Sequence, residues 1–225
     1  MQYLYETHMH TSPSSACASS SPAQQVRAYK DRGYAGIIVT DHFINGNSAC
    51  PQYGLTWTEQ MAFFSQGYEK AKKEGKKRGL DVFLGWEWCF AGTEFLTYGL
   101  SMDFLLAHPN LDALTIEQYC KLVREHGGYN AQAHPFRRGY WIDNPFPVAP
   151  GLIDGVEVYN AGMPDEVNKK ARDFAIGHNL PVQAGSDSHY EDIPFASGIA
   201  LAKRAESIFD IIEAIKARAV ELIVP

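Results

Sequence analysis

The chain has 225 residues, 45% of them hydrophobic, and a formal net charge of −6 at pH 7. This length supports one sizeable core and predicts a single domain over residues 1–225. The negative charge and the lack of a long basic run argue against an extended nucleic-acid surface and favour small substrates. No apolar run reaches the roughly 18 residues of a membrane span and no secretory signal pattern is present, so we expect no membrane association and a cytoplasmic location.

Strand and helix patterns alternate along the chain. Residues 21–34 are typical of a helix, because Ser21 can cap its start, Pro22 suits its first turn and Gly33 can end it. In chain order, the predicted strands are 4–10, 35–42, 80–88, 94–100, 129–134, 153–161, 180–189 and 198–202, and the predicted helices are 21–34, 57–79, 115–128, 164–179 and 207–219. This alternation predicts an α/β fold with a parallel sheet, either doubly wound or closed as a barrel.

Side chains that can bind metal ions fall at the carboxyl ends of the predicted strands. They are His8, His10, Asp41, His42, Glu87, His134, Asp187 and His189. In parallel α/β folds these strand ends meet on one face, where active sites are built. So many polar groups in one pocket are costly unless cations bind them, and the sequence therefore predicts a metal centre. The remaining histidines, His108, His126 and His178, fall near helix ends or in a loop, where we expect structural or surface roles.

Five short motifs follow one another between residues 8 and 189: HMH, TDH, GWE, AHP and DSH. In residue type and order they resemble the motifs of the PHP family, which is named for its polymerase-associated and histidinol phosphatase members. The resemblance implies a distorted seven-stranded (β/α) barrel that gathers two or three divalent metal ions at the strand carboxyl ends. It also implies phosphoester hydrolysis, by a phosphatase or a phosphodiesterase.

The resemblance also implies a role for each metal-binding side chain. The implied ligands are His8, His10, His42, Glu87, His134, Asp187 and His189. One ion would be bound by His8, His10, Glu87 and Asp187. Glu87 would bridge to a second ion that His134 also binds, and His42 with His189 would bind a third. Glu87, Asp187 and His189 are also the candidate catalytic residues.

The chain departs from the family pattern at two positions. The fullest family members have a further histidine about six residues after the first motif, where this chain has Ala16 and Cys17. They have another on the strand after the glutamate, where this chain has Leu96. Glu94 could replace that histidine as an oxygen ligand, or His108 could reach in from its loop. Cys17 is either a thiolate ligand of the third ion or a small buried residue.

The predicted ligands suggest a mechanism. Imidazole and carboxylate groups suit zinc, iron and manganese. A carboxylate that bridges two ions, as Glu87 would, leaves a water between them that is acidified to hydroxide and can attack phosphorus directly. No protein nucleophile is then required, and the chain contains neither a G-x-S-x-G motif nor a glycine-rich phosphate loop.

Three polar residues are candidates for substrate binding. Arg137 and Arg138 closely follow the AHP motif, and the guanidinium fork matches phosphate geometry. Asn160 ends a predicted strand on the same rim, where its amide could contact a substrate.

Function follows from these residues as a leading hypothesis and two alternatives. The sequence predicts a metal-dependent hydrolase that cleaves a phosphoester of a small phosphorylated metabolite or a short nucleotide. One alternative is a carbon–nitrogen bond hydrolase of the amidohydrolase type, because metal-activated water also attacks carbonyl carbon. The other is a non-catalytic metal-binding PHP module.

The loop aromatics Tyr140, Trp141 and Phe146 either line the pocket or cover the barrel mouth.

Overall fold

The computed structural model describes residues 2–51, 53–142 and 145–225. Its strands are β1 (Tyr3–Met9), β2 (Gly36–Val39), β3 (Asp81–Phe90), β4 (Thr93–Tyr98), β5 (Tyr129–Gln132), β6 (Gly155–Asn160), β7 (Val182–Gly185), β8 (Gly198–Leu201) and β9 (Glu221–Ile223). Its α-helices are α1 (Pro22–Asp31), α2 (Trp57–Phe64), α3 (Gln66–Arg78), α4 (Met102–Ala107), α5 (Ile116–Glu125), α6 (Asp165–Gly177) and α7 (Ile208–Lys216). The predicted α/β class is confirmed.

The described strands form one sheet in the order β7-β6-β5-β4-β3-β2-β1-β8-β9. The pairs β1–β2, β2–β3, β5–β6 and β6–β7 are parallel, and the remaining pairs are antiparallel. The sheet curls until the chain after β7 meets the end of β1. There His10 N donates to Ser188 O at 2.9 Å, and Asp187 N donates to His8 O at 2.8 Å. The result is a nearly closed barrel with the ends of β1 and β7 side by side.

The seven strands implied by the family resemblance are the wrong number, because the sheet of the described residues has nine. Two of these strands, β8 and β9, extend the sheet beyond β1 and pair antiparallel. β8 approaches β1 closely at Gly198, where a Cβ atom would lie 2.2 Å from the Tyr5 carbonyl oxygen. Gly198 has a φ of +146°, and glycine alone combines this backbone conformation with so close an approach.

Two further elements differ from the prediction of helices alternating with parallel strands. The helix predicted over residues 57–79 is divided at Ser65 into α2 and α3. β3 and β4 form a hairpin, so β4 runs antiparallel to its neighbours. The hairpin turn contains Ala91 with a φ of +49° and Gly92 with a φ of +80°. Two successive positive φ values let a two-residue turn match the twist of its strands, which is why no helix is needed between β3 and β4.

Helix α1 begins after Ser21, the capping residue that the sequence predicted, and α5 begins after a similar cap, Thr115. Ser21 before α1 and Thr115 before α5 each accept a hydrogen bond from the backbone of the first turn, in a capping box with Gln24 and Gln118. In the described part of the chain, no helix has both the length and the apolar character needed to cross a membrane.

Strand alternation in β3 directs one carboxylate into the barrel. Trp86 Nε1 donates to the Tyr119 hydroxyl at 2.7 Å, and the rings of Trp88 and Tyr119 stack with their centroids 4.0 Å apart. Both tryptophans therefore pack against α5. Successive side chains of a strand point to opposite faces, so Glu87 between them points into the barrel interior. The packing of the two tryptophans thus directs Glu87 inward, where its carboxylate is completely buried.

Candidate metal centre

The four side chains predicted to surround one ion meet at the carboxyl ends of β1, β3 and β7. Nε2 of His8 and Nε2 of His10 lie 3.1 Å apart, and both rings are completely buried. Asp187 Oδ1 lies 3.4 Å from the His8 nitrogen and 3.1 Å from the His10 nitrogen. Glu87 completes the group, with its carboxylate oxygens 3.3 Å from His8 Nε2 and 3.6 Å from His10 Nε2. The structure therefore brings these four predicted residues together.

Glu87 also faces a second group of ligand atoms. His134 Nε2 lies 3.1 Å from Glu87 Oε1, and His42 Nδ1 lies 2.8 Å from Glu87 Oε2. Glu94, on β4, lies beside both histidines, 3.5 Å from His134 Nε2 and 3.9 Å from His42 Nδ1. The sequence analysis considered Glu94 and His108 as replacements for an absent histidine, and of these two the structure brings Glu94 beside His134 and His42.

A third group lies toward the mouth of the barrel. The ring of His10 stacks on the rings of His42 and His189, with centroids 4.3 Å apart in each case. Ring nitrogens of these three histidines lie within 4.8 Å of one another. Cys17 hydrogen-bonds to His189 and His42, and these bonds outweigh the effect of burial and lower the pKa of its thiol to about 6. Cys17 therefore lies beside the predicted third-ion residues and not in the apolar core.

Burial and neighbouring charges shift the titration of the centre in opposite directions. Burial alone would raise the pKa of Glu87, but the charges of His8 and His42 hold it well below its usual range. Burial would lower the pKa of His8, but Asp187 and Glu157 raise it well above the usual value. Burial and the neighbouring His42 lower the pKa of His10 to about 3. Carboxylates and histidines this close together stabilise one another's charged forms unless a cation takes the place of the protons.

The donor set fits divalent metal ions. His42 Nδ1 and Glu87 Oε2 are both buried and form an ion pair at 2.8 Å when His42 is protonated, but neither atom makes an aligned hydrogen bond with a described residue. Buried polar atoms without aligned partners are costly, and a cation between them would satisfy both when His42 is neutral. Imidazole nitrogen and carboxylate oxygen are the ligand types that zinc, iron and manganese accept. The residues present are therefore able to hold such ions.

Buried carboxylates that the sequence analysis did not assign to the site hold the ligand-bearing segments in place. Glu157, on β6, accepts from His8 Nδ1 at 2.9 Å and from the His134 backbone N–H at 2.9 Å. Glu6 accepts from the backbone N–H groups of His8 and Ser186, at 2.8 and 2.9 Å. Glu157 stands between two valines in β6, and Glu6 stands beside Thr7 and His8 in β1, and neither pattern identifies the partner of the carboxylate.

Asp41, like Glu157 and Glu6, is a buried carboxylate that holds neighbouring segments of the site in place. The sequence analysis placed it among the polar residues at the strand ends without naming it as a ligand. Its Oδ1 accepts from Thr11 N at 2.6 Å and from Ser15 Oγ at 2.8 Å. Ser15 Oγ in turn lies 3.2 Å from His10 Nδ1. Asp41 therefore orients a candidate metal-binding histidine, His10, through Ser15.

The three predicted substrate-binding residues lie in different environments. Arg137 Nη1 lies 3.1 Å from Glu94 Oε2 and 3.4 Å from His134 Nε2, so its guanidinium is next to the centre. Arg138 is exposed and, within the part of the chain that the structure describes, is not part of the lining of the cavity above the centre. Asn160 is completely buried, and its Nδ2 donates to Glu157 at 3.0 Å and to Asp187 at 3.3 Å. Its amide thus orients protein carboxylates.

A cavity of about 940 Å³ opens above the centre. Its polar floor includes His42, Glu94, Asp187 and His189, with Arg137 at one side. Of the three loop aromatics that the sequence placed either in the pocket lining or over the barrel mouth, Tyr140 and Trp141 line the cavity wall. Phe146 is not part of this lining.

The three histidines expected to have structural roles lie away from the centre. His108 Nδ1 donates to Phe104 O at 2.7 Å, and its ring contacts that of His126 with centroids 4.8 Å apart. His178 packs against the ring of Phe174. His108 therefore does not reach the site from its loop.

Comparisons with known proteins give a consistent picture of the fold. No protein-family model and no curated protein sequence matches the chain. A two-domain protein from Bacteroides vulgatus that contains a predicted PHP-like metal-dependent phosphoesterase superposes with a TM-score of 0.73 at 18% identity. The match covers 99% of this chain and 64% of that one, so this chain spans less than two thirds of that protein. An amidohydrolase from Chromobacterium violaceum, with bound sulfate, superposes with a TM-score of 0.58 at 14% identity over 97% of both chains.

Two similar structures correct the expectation about nucleic acid. The lesion-specific endonuclease PfuEndoQ from Pyrococcus furiosus superposes with a TM-score of 0.65 at 15% identity, covering 99% of this chain and 58% of that one. An Endonuclease Q complex with a 27-mer duplex substrate superposes with a TM-score of 0.62 at 16% identity, covering 96% and 57%. The expectation of no extended nucleic-acid surface is therefore wrong, because net charge does not report the local potential around one site and enzymes of this fold act on DNA.

At these identities, the comparisons establish the fold and not the reaction. The order of the five sequence motifs indicates the same architecture. The chain departs from the family pattern at Ala16 and Leu96, and the structure has Cys17 and Glu94 beside the centre. The chain has the fold of the PHP-like metal-dependent phosphoesterases.

Proposed function

We propose that this chain is a metal-dependent hydrolase that cleaves phosphoesters. The observation that carries the proposal is the position of Glu87, whose two oxygens face nitrogens of His42 at 2.8 Å and His134 at 3.1 Å while lying 3.3 Å from His8. A carboxylate shared in this way suits two ions, and the cavity above it contains a guanidinium suited to phosphate. The descriptions of the B. vulgatus protein and of the endonucleases support the same type of reaction.

The ligand roles follow from which atoms meet. His8, His10, Glu87 and Asp187 would hold one ion. Glu87 and His134 would hold a second, with Glu94 supplying an oxygen in place of the absent histidine. His42 and His189 would hold a third, to which Cys17 could add a thiolate. Two or three ions of zinc, iron or manganese suit this set of nitrogen, oxygen and sulfur donors.

Bound ions would lower the pKa of a coordinated water and neutralise the charge on phosphoryl oxygens. The protein's own groups would do the rest. Glu87 and Asp187 keep their negative charge at neutral pH, because neighbouring histidines hold the pKa of each well below its usual range against the effect of burial. Arg137 is partly exposed and lies where it could donate to the non-bridging oxygens of a phosphate. His189, at the mouth of the centre, could donate a proton to the leaving oxygen.

All residues with a role in this scheme lie between residues 8 and 189. We infer that residues 1–225 act as a single domain. The substrate would be a phosphorylated small molecule, a short nucleotide or a nucleic-acid strand, since the endonucleases with this fold act on DNA. Hydrolysis of a carbon–nitrogen bond is the second candidate, because the C. violaceum protein is described as an amidohydrolase. Arg137 beside the centre favours phosphate.

The test is hydrolysis by purified protein that has been stripped of metal and reloaded separately with zinc, iron or manganese. The substrates would be phosphomonoesters, phosphodiesters, duplex DNA with an abasic site and a series of amides. We expect metal-dependent release of phosphate or strand scission, absent in a Glu87→Gln control. Hydrolysis of the amides alone would favour the second candidate, and inactivity on every substrate with metals bound would favour a non-catalytic module.

A further inference from the structure

The cavity is much larger than a phosphate group, and its walls differ from its floor. Its volume of about 940 Å³ is in the range of pockets that hold drug-sized ligands. The floor carries the metal-binding side chains, whereas the wall carries Tyr140, Trp141, Tyr190 and Phe195. Tyr140 is fully exposed, and Trp141 and Tyr190 are about half exposed, at 48% and 49%. Large aromatic surface left open in a cavity indicates a site for an apolar or planar group.

The Trp141 ring packs against its own loop. Its indole packs on Gly139, where an added Cβ atom would lie 2.7 Å from Trp141 Cζ2. The backbone at the same residue packs on Gly92 in the β3–β4 turn, where an added Cβ would lie 2.6 Å from the Trp141 carbonyl oxygen. The ring of Tyr140 stands perpendicular to the indole with centroids 4.8 Å apart. Trp141 therefore presents a half-exposed aromatic surface while it packs against its own loop and the β3–β4 turn.

One side chain connects this wall to the metal centre. The Arg137 guanidinium contacts Glu94 and His134 at the floor, and the same group lies 5.6 Å from the centroid of the Trp141 ring. A ligand whose phosphate meets Arg137 at the floor would thus present its next part to Trp141. In a nucleotide that part is the sugar, followed by the planar base.

We propose that the aromatic wall binds the base of a nucleoside phosphoester, with Trp141 as the stacking residue. This inference rests on the proposed function and narrows its substrate class from phosphoesters in general to those that carry a nucleobase. Stacking on an aromatic side chain tolerates any base, because every base has a π face. The same chemistry could be presented by a free nucleotide or by the terminal nucleotide of a strand.

A matched pair of substrates tests the inference. AMP and ribose 5-phosphate have the same scissile phosphoester and sugar and differ in the base. We expect kcat/KM to favour AMP by about 5- to 150-fold, the range of measured base stacking. Trp141→Ala should bring the ratio of the two kcat/KM values close to one, mainly by raising KM for AMP, and Trp141→Phe should restore much of the preference. Phe209→Ala removes an aromatic that is 52% exposed in α7, outside this cavity, and is the control.

Binding separates this inference from the proposed function. Isothermal titration of the metal-loaded protein with non-hydrolysable phosphonate analogues of AMP and of ribose 5-phosphate measures recognition of the base independently of hydrolysis. Tighter binding of the AMP analogue that depends on Trp141 supports the inference even if AMP and ribose 5-phosphate both resist hydrolysis, in which case the proposed function fails alone. Equal binding of the two analogues and equal hydrolysis of AMP and ribose 5-phosphate would overturn the inference and leave phosphoester hydrolysis intact.

A third ligand distinguishes the two sources of the base. This ligand is a single-stranded oligonucleotide whose 5′-terminal nucleotide is a 5′-phosphorylated adenosine, and it is compared with AMP under the same conditions. Tighter Trp141-dependent binding of the oligonucleotide assigns the wall to a strand end, and tighter binding of AMP assigns it to free nucleotides. If Trp141→Ala weakens neither ligand, Trp141 is a structural residue of the loop and the inference is wrong.

Discussion

The carboxylate of Glu157 accepts a hydrogen bond from Nδ1 of His8 at 2.9 Å, and both side chains are completely buried. This bond keeps the proton on Nδ1 and leaves Nε2 of His8 facing Glu87 and Asp187. The other oxygen of Glu157 accepts from the backbone N–H of His134, a residue with a φ of +26°. One acid therefore fixes the tautomer of one candidate ligand and the strained backbone of another.

Glu157→Gln should weaken metal binding about 10- to 100-fold, the usual effect of removing a partner of a metal-binding histidine. A carboxamide has one acceptor oxygen, so it cannot accept from both His8 and His134, and its NH₂ group would face a donor. The measurement is competition for zinc with a chromophoric chelator. Glu213→Gln, at an exposed helix position, is the control. Equal affinity in both variants would show that Glu157 does not orient the ligands.

Glu87→Gln should lower the metal content and reduce hydrolysis by several orders of magnitude, because it removes one charge that two ions would share. Metal content is measured by mass spectrometry of the dialysed protein, and the rate with the best phosphoester found. His108→Ala is the comparison, because His108 bonds to its own helix and should leave the metal content unchanged. Full metal content and activity in Glu87→Gln would contradict a shared carboxylate.

Strand periodicity explains why much of this site could be predicted from the sequence. His8 and His10 had to share a face of β1, and Glu87 had to point away from its neighbouring tryptophans. Glu157 could not be predicted as their partner, since it lies 149 residues from His8 and the contact exists only in the closed barrel. The sequence likewise contains no signal that Asn160 faces Glu157 and Asp187, because a strand end on the rim is compatible with either a substrate or a protein partner.

Glu94→Ala should lose one ion per chain, whereas Glu94→His should retain it. Glu94 lies beside His134 and His42, and an imidazole at the same residue could supply a ligand in place of the carboxylate. The ratio of metal to protein in each variant measures this. If the alanine variant keeps all its ions, Glu94 serves only as the ion-pair partner of Arg137.

Metal binding should release protons and should strengthen as the pH rises. Burial would lower the pKa of His8 and of His42, but the carboxylates facing each raise it well above the usual value of 6.5. Both rings are therefore protonated near neutral pH in the ion-free protein, and each must lose the proton from the nitrogen that binds an ion. Titration of zinc into the stripped protein in buffers of different ionisation enthalpy counts these protons. An affinity that is independent of pH between about 6 and 8 would contradict this.

Arg137→Ala tests phosphate chemistry separately from metal binding. The guanidinium is partly exposed beside Glu94, so its loss should leave the fold and the metal content intact. Removing a charge-assisted donor to the phosphoryl group should cost about 2 to 4 kcal/mol in the transition state, or about 30- to 1,000-fold in kcat/KM. Arg137→Lys should recover only part, since a point charge cannot reproduce the two-pronged contact.

Arg138→Ala is the matched variant, because it removes the same charge one residue along the chain, from an exposed side chain outside the lining of the cavity. We expect its kcat/KM to stay within about twofold of the parent, as surface charges contribute little. A phosphoesterase rate that is unchanged in Arg137→Ala would remove the main reason for preferring phosphate over amide substrates. A loss in Arg138→Ala equal to that in Arg137→Ala would instead indicate that the loop as a whole, and not one guanidinium, attracts the anionic substrate.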